Sequence, residues 1–243
     1  MRSPELASLC KSDAIVLLPV GSIEQHGPHL PVETDSRLAE EVCVRAADLM
    51  SESYPVVVAP TVWCGMSEHH MGFVGTISVT FATFSGILRN VCETIQRHGF
   101  TKLMIVNGHG GNIAGLQVLV GELTRELKHP VKALTYCALK NCAEAYAGIL
   151  EDQENLRHAG EAETSMMLVL TPDRIDRDAM LNASNSMHDF SSTDRPYRFV
   201  RFDEFTATGV NGITRRANEE KGEALLAAGA EAVADVLREE FMS

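Results

Sequence analysis

Carboxylate and imidazole side chains are concentrated in one short stretch of the chain, residues 21–35. Glu24 and His26 are two positions apart, so in an extended backbone both side chains leave the same side of the chain. Asp35 follows a proline-marked turn that can fold it back towards this pair. Because such ligands suit Zn²⁺, Mn²⁺ or Fe²⁺, the stretch favours a metal site. A polar surface loop, with Asp35 as a plain helix N-cap, is the alternative.

A second candidate segment, residues 107–112 with the sequence NGHGGN, follows an apolar run and precedes a helical pattern. Its glycines permit a tight turn and a close approach of backbone to ligand. A phosphate cradle at a helix N-terminus is the alternative. It fits poorly, because the Gly-Lys-Ser/Thr of a P-loop is absent and Ile113 stands where a dinucleotide fingerprint needs glycine. We therefore predict that His109 is a ligand.

Two further clusters carry groups of the same kind. His158, Glu161 and Glu163 precede an apolar helical run. A helix dipole favours carboxylates in a first turn, so a structural role is the alternative for both glutamates. His69 and His70 are adjacent and point in different directions, so we expect at most one of them to face a shared site, with a solvated loop as the alternative.

Strands and helices alternate along the chain and must position these side chains. Such alternation implies right-handed crossovers and a mostly parallel sheet with helices on both faces, an α/β fold. Sites in such sheets lie at the carboxyl ends of strands. No break divides the chain, so we expect a single domain over residues 1–243, with an irregular segment at 182–215. The patterns predict strands over 14–20, 54–60, 76–81, 102–106 and 131–137, and helices from Asp35 to about 49 and over 83–98, 112–128, 141–150, 164–170 and 219–240.

Composition limits the classes of partner. The 21 Lys and Arg residues against 33 Asp and Glu residues give a net charge of −12, which argues against nucleic-acid and anionic-membrane partners. No apolar run approaches the ~20 residues that span a bilayer, and residues 1–13 lack the apolar core of a secretory signal. The six cysteines are scattered without a CxxC pair, so we expect reduced thiols and a cytoplasmic protein.

Four segments together resemble the creatininase (creatinine amidohydrolase) family. They are LLPVGSIEQHGPHLPVETD at 17–35, GFVGTISVT at 72–80, VNGHGGN at 106–112 and HAGEAETS at 158–165. The chain is identified on these motifs as a member of that family. The resemblance implies a three-layer α/β/α sandwich with a mostly parallel sheet. It also implies metal-dependent hydrolysis of carbon–nitrogen bonds, mostly amides, in an assembly that is commonly a homohexamer.

Carried over by motif, the resemblance implies metal ligands at Glu24, His26, Asp35 and His109, with Asp35 between two ions. We expect Zn²⁺ or Mn²⁺, with Fe²⁺ as a further option, and one or two ions per chain. Creatininase itself has a metal-binding Glu two positions after the His of its NGH motif, where this chain has Gly111. We predict that Glu163 supplies the missing ligand, with Glu161 as the second choice.

The resemblance also bears on substrate and mechanism. Creatininase has tryptophans around its substrate, but this chain has none between residues 138 and 158, so creatinine is not the expected substrate. The glycine-type motif is more similar to other branches of the family: a formamidopyrimidine deformylase, a ring hydrolase of inositol breakdown and a precursor-peptide peptidase. We predict an amidohydrolase that attacks a small-molecule substrate with a metal-activated hydroxide, with Glu163 and His158 as catalytic residues and His158 as general acid. A non-catalytic metal- or phosphate-binding subunit is the alternative of another class.

Overall fold

The computed structural model describes residues 1–185, 187–188 and 198–242. Part of the segment 182–215, which the sequence predicts to be irregular, therefore lies outside the described residues. Residue 243 of the predicted domain lies outside them as well.

A four-stranded parallel sheet forms the middle layer, in the order β2-β1-β3-β4. Within it, Ile15 of β1 pairs with Val56 on one side and with Lys102 on the other. All residues of β1 are buried, because a parallel sheet that is covered on both faces needs apolar side chains on both sides of its central strands. The strands are β1 (Ile15–Val20), β2 (Val56–Val58), β3 (Lys102–Asn107) and β4 (Val131–Thr135).

Helices cover both faces of this sheet. The described helices are α1 (Ser3–Lys11), α2 (Thr34–Met50), α3 (Phe81–Arg97), α4 (Ile113–Glu126), α5 (Lys140–Ile149), α6 (Glu161–Leu170), α7 (Arg177–Asn182) and α8 (Glu219–Phe241). Ile15 and Leu17 of β1 share one apolar core with α2, α5, α6 and α8. Val16 and Leu18 share the other core with α3 and α4. The predicted three-layer α/β/α fold is therefore confirmed.

The predicted strand over residues 76–81 is wrong. Ile77 and Ser78 make only isolated bridges, to Ile23 and to Gly65 respectively. Thr80 is the N-cap of α3, and its side chain accepts a hydrogen bond from the Thr83 backbone N–H. The β-branched residues do alternate in this segment, but they form only these two single bridges with neighbouring loops and no strand.

Several helix boundaries also differ from the prediction. The N-cap of helix α2 is Glu33, so Asp35, which the sequence offers as an N-cap, lies inside the first turn. Helix α6 begins at Glu161, before the predicted start at Thr164. The prediction missed these residues because the first turn is polar and carries no apolar periodicity. Helix α1 has no buried residue, and its half-buried Leu6 and Leu9 form too short an apolar stripe to detect.

All six cysteines are free, as predicted. Among the described residues, no helix combines the length and the apolar character that crossing a membrane requires.

Candidate metal centre

Five predicted ligands from four parts of the chain meet in one buried cluster. Glu24 and His26 lie in the loop after β1, Asp35 in the first turn of α2, His109 directly after β3 and Glu163 in the first turn of α6. Each of these residues is at most 3% exposed. The carboxyl ends of two neighbouring parallel strands and the starts of two helices thus converge on the same point.

Asp35 divides the cluster into two halves. Its Oδ1 is 3.2 Å from His26 Nε2, and its Oδ2 is 2.9 Å from His109 Nδ1. Glu163 Oε2 lies 3.6 Å from His26 Nε2 on one side. Glu24 Oε2 lies 3.1 Å from His109 Nδ1 on the other. A carboxylate in this position can bind two cations at once.

Hydrogen bonds on the outer side of each ring turn its other nitrogen towards the carboxylates. His26 Nδ1 donates to the Glu24 backbone oxygen at 3.1 Å, and His109 Nε2 donates to Ser67 Oγ at 3.1 Å. His26 Nε2 and Asp35 Oδ2 are buried and have no hydrogen-bond partner among the described residues. Metal-binding histidines are typically oriented in this way, with the second nitrogen hydrogen-bonded outside the site. The donor set therefore fits divalent cations.

Ser67 is a member of the site that the sequence analysis missed. Its hydroxyl donates to Glu24 Oε2 at 2.7 Å and lies 2.5 Å from Ser22 Oγ. It orients Glu24 and His109 together. Its position two residues before the predicted pair His69 and His70 is the only signal that could have indicated it.

The chain matches the family model for creatininase, described as creatinine amidohydrolase, over residues 1–237. The chain belongs to the creatininase family. It is 30% identical to the creatinine amidohydrolase of Pseudomonas putida over 256 residues, which cover 97% of this chain and 93% of that enzyme. It is 34% identical over 169 residues to the mycofactocin precursor peptide peptidase of Mycolicibacterium smegmatis, and that match covers 69% of this chain and 62% of the peptidase.

Solved creatininases share this fold. A manganese form of creatininase has a TM-score of 0.80 and 27% identity, and the match covers 100% of this chain and 97% of that one. A mutant creatininase of Zn–Zn type has the same TM-score and coverage at 26% identity. The predicted family, and with it a hydrolase of carbon–nitrogen bonds, is confirmed. The metals of these creatininases and the donor cluster of this chain together support a divalent metal.

In this chain, the turn at 107–112 leaves no room for a side chain at Gly111. A Cβ atom at Gly111 would overlap His109 Nε2 and the backbone oxygen of Met66. A side chain at this position would therefore displace a candidate ligand. Glu163 lies on the other side of the cluster, beside His26, and its Oε2 accepts a hydrogen bond from the Ala159 N–H at 2.6 Å.

Glu161, the second choice for the missing ligand, lies apart from the cluster. Its carboxylate is paired with Lys221 Nζ at 2.5 Å. It also accepts hydrogen bonds from the backbone N–H groups of Glu151 and Asp152. These contacts occupy the carboxylate on the side of α6 that faces α8.

The expectation that at most one of His69 and His70 faces the site is wrong, because both do. His70 Nε2 is 3.2 Å from Glu24 Oε1. The His69 ring stacks on His109 with centroids 5.7 Å apart, and His69 forms a potential ligand group with Glu24 and His109. The two residues end the 3₁₀ turn Glu68–His70, in which successive side chains project about 120° apart, and the site contacts the turn on both sides.

His158 borders the cluster next to Glu24. Its Nδ1 is 3.4 Å from Glu24 Oε1, and its ring centroid is 4.3 Å from that of His26. Phe202 covers the outer side of this region, with ring centroids 4.8 Å from His158 and 4.0 Å from His70. His158 is thus close enough to the candidate ligands to exchange protons with groups bound there.

The ionisable groups of the cluster have strongly altered pKa values. Burial raises the pKa of Glu163 to about 7 in spite of the attraction of His26, and the Asp35 carboxylate adds to the rise. Burial opposes a charged His26, yet Asp35 and Glu163 raise its pKa to about 10. Burial also opposes a charged Glu24, but the neighbouring histidines, His109 foremost, hold its pKa well below its usual range. Such opposed shifts are typical of functional sites.

The outer histidines have the opposite behaviour. Burial lowers the pKa of His158 well below its usual range, and His26 and His70 lower it further. Burial lowers the pKa of His70 to about 3. Both rings are therefore neutral at pH 7, so each carries one hydrogen and one lone pair.

Proposed function

We propose that this chain is an amidohydrolase that binds two divalent cations, Zn²⁺ or Mn²⁺, around Asp35. His26 and Glu163 would hold one ion and Glu24 and His109 the other, with Asp35 shared. The observation that supports this assignment is the pair of buried atoms His26 Nε2 and Asp35 Oδ2. They make no hydrogen bond among the described residues, although each lies within 3.6 Å of further ionisable groups.

Charge supports the same assignment. Glu24, Asp35 and Glu163 bring three negative charges into a buried site, and their ion-pair partners among the described residues are all histidines. Without a cation, only protonated histidines can balance these charges, and burial opposes the charged form of His26 and of His109. The cations would offset this cost and would supply Lewis acidity and a lowered pKa of water.

His158 would hold and move the proton of the reaction. Its Nε2 donates to the backbone oxygen of Gln25 at 2.8 Å, so Nδ1, on the side of Glu24, carries the lone pair. The lowered pKa of His158 keeps this lone pair available at pH 7. We propose that Nδ1 first accepts a proton from water and then donates it to the leaving nitrogen, so the predicted general acid begins as a base.

The first substrate class that we propose is a small amide, in which the carbon–nitrogen bond is hydrolysed. A peptide is the second candidate, because the chain is 34% identical to a precursor-peptide peptidase over 69% of its length. Formamides and an inositol-derived ring are further candidate substrates. Cytoplasmic location, a homohexamer and a single domain over residues 1–243 stay predictions.

Metal-dependent turnover tests this proposal. Protein stripped with a chelator and reloaded with Zn²⁺ or Mn²⁺ is assayed by chromatography for ring opening of creatinine and of a cyclic imide, and for amine release from N-formyl amines and short peptides. We expect turnover of at least one class, and a loss of roughly 10³-fold or more in Asp35→Asn. The control is Asp48→Asn, an aspartate on the same helix and away from the cluster. An Asp35→Asn variant with full metal content and full turnover would refute the assignment.

The role of His158 has a separate test. We expect His158→Ala to retain its metal content and to lose turnover by about 10²-fold, the usual effect of losing acid–base catalysis. Metal loss in this variant, measured by elemental analysis, would make His158 a ligand instead of a proton carrier.

A further inference from the structure

Gln25 lies between the candidate ligands Glu24 and His26 in the sequence, but its side-chain amide forms hydrogen bonds with other groups. The residue is 5% exposed. Its Oε1 accepts a hydrogen bond from the Gly27 N–H at 2.9 Å, and its Nε2 donates to the Gly209 backbone oxygen at 2.9 Å. Because a backbone N–H can only donate and a carbonyl can only accept, these two bonds fix which end of the amide is oxygen and which is nitrogen.

The turn that receives this amide is built around it. Gly209 has a φ of +79°, and a Cβ atom at this position would overlap Gln25 Oε1. Gly27, on the other side, has a φ of +68°. Both glycines adopt a left-handed conformation that other residues rarely take. The amide of Gln25 is therefore clamped by backbone on both sides.

The hydrogens of the clamped amide can be assigned by elimination. Nε2 carries two hydrogens but has three polar neighbours: the Gly209 oxygen, His70 Nδ1 at 2.8 Å and His158 Nε2 at 2.9 Å. One hydrogen goes to the Gly209 oxygen, which has none of its own. His158 Nε2 also lies 2.8 Å from the backbone oxygen of Gln25, so this nitrogen must itself carry a hydrogen and donate it. The second amide hydrogen therefore goes to His70 Nδ1.

These assignments determine what each histidine presents to Glu24. His70 Nδ1 accepts from the amide, so its hydrogen is on Nε2, which donates to Glu24 Oε1 over 3.2 Å. His158 carries its hydrogen on Nε2, so its bare Nδ1 lies 3.4 Å from the same oxygen. One ring thus offers a hydrogen to the carboxylate and the other offers a lone pair.

We propose that Gln25 is a positioning residue that sets the tautomers of His70 and His158, so that His70 orients Glu24 while His158 keeps a free nitrogen towards the reacting centre. The catalytic consequence rests on the proposed hydrolase function, whereas the tautomers themselves do not. This role differs from metal binding. Among the described residues, the amide makes no hydrogen bond to His26 Nε2 or His109 Nδ1, the two nitrogens that face the carboxylates.

Neutron diffraction from zinc-loaded, perdeuterated crystals tests the proposal, since it locates the ring deuterons directly. In the wild-type protein we expect deuterium on Nε2 of both His70 and His158. Gln25→Glu keeps the shape of the side chain but replaces its donors with acceptors, so His70 should gain a deuteron on Nδ1. Gln25→Met, which also removes the donors but adds no charge, should leave His70 in mixed tautomers.

Gln96→Glu is the matched control. Gln96 also has a clamped amide: its Oε1 accepts from the His129 N–H and its Nε2 donates to the His129 backbone oxygen. It lies in the last turn of α3, away from the cluster. This variant should leave both ring tautomers as in the wild type. With an active substrate, Gln25→Met should lower kcat by about 10- to 100-fold with little change in KM or metal content, as expected when the orientation of a site group is lost.

Three results distinguish the positioning role from the proposed hydrolase function. Unchanged deuteration of His70 and His158 in folded Gln25→Glu and Gln25→Met would overturn the positioning role. Altered tautomers with unaltered turnover would overturn its catalytic part. Altered tautomers in a zinc-loaded protein whose wild type cleaves no amide would support the positioning role while the hydrolase proposal fails.

Discussion

Two glutamates in the first turn of α6 are both buried, yet their environments are opposite. Glu161 is 0% exposed and its carboxylate is paired with Lys221 Nζ. It also accepts hydrogen bonds from two backbone N–H groups of residues 151 and 152. A cation and two backbone N–H groups of the fold therefore offset its charge.

Glu163, two positions later, is 3% exposed, but no Lys or Arg side chain pairs with its carboxylate among the described residues. Its ion-pair partner among the described residues is His26, and the nearby carboxylate of Asp35 raises its pKa together with burial. Since buried charges need partners, the difference distinguishes a structural carboxylate from one that requires an external cation. Substitutions at these two glutamates and at their partners can test this contrast.

The largest expected effect is on metal binding and turnover. Glu163→Gln should lose one ion per chain and roughly 10³-fold in turnover, because a neutral amide is a poor ligand and several kcal/mol of stabilisation by the metal are lost. Glu161→Gln, the matched variant on the same turn, should retain its metal content and turnover. Elemental analysis measures the metal content, and hydrolysis of an active substrate measures the turnover. Equal metal loss in the two variants would remove the distinction between them.

The next effect is on stability and involves the other glutamate. Lys221→Met removes the cation of buried Glu161 and should lower the free energy of unfolding by about 3 kcal/mol, the usual cost of breaking a buried ion pair. Lys140, whose side chain is 90% exposed in its pair with Glu144, provides the control. Lys140→Met should cost less than about 1 kcal/mol in the same denaturant titration. A neutral result for Lys221→Met would show that Glu161 does not depend on Lys221.

The smallest expected effect is a dependence of stability on pH. The pKa of Glu163 is raised from 4.5 to about 7 on folding, so the folded state keeps a proton that the unfolded state loses. The resulting stabilisation is fully present below pH 4.5 and is lost as the pH rises through 7. In chelator-stripped protein, the unfolding free energy of the wild type relative to Glu163→Gln should therefore fall by about 2 kcal/mol between about pH 5 and pH 7.

A control variant and the sign of the slope make this measurement decisive. Glu154→Gln, at an exposed glutamate, should run parallel to the wild type over the same range. A wild-type curve that rises relative to Glu163→Gln as the pH increases would mean that Glu163 has a lowered pKa and a complete set of partners in the fold.

The parallel sheet and the position of the site could be predicted from the sequence because both depend on local patterns. The apolar runs that became β1 and β3 identify buried strands, and the polar residues directly after them must lie at the same edge of a parallel sheet. The prediction that Glu163 replaces a ligand missing at Gly111 came from the resemblance to creatininase, which has a metal-binding Glu at that position. The structure brings Glu163 to within 3.6 Å of His26.

The parts that could not be predicted depend on contacts between distant segments. Ser67 reaches Glu24 across 43 positions, and Gln25 reaches Gly209 across 184. Neither contact has a periodic signal. The wrong prediction for His69 and His70 has a related cause, because a 3₁₀ turn that is enclosed on both sides allows adjacent residues to contact one site.

Anomalous X-ray diffraction from zinc-loaded crystals tests the central claim most directly. We expect two peaks on either side of Asp35, one in contact with His26 and Glu163 and the other with Glu24 and His109. The region around Glu161 and Lys221 should show no peak. Zinc peaks that do not contact Asp35, or a peak at Glu161 instead of Glu163, would contradict the account.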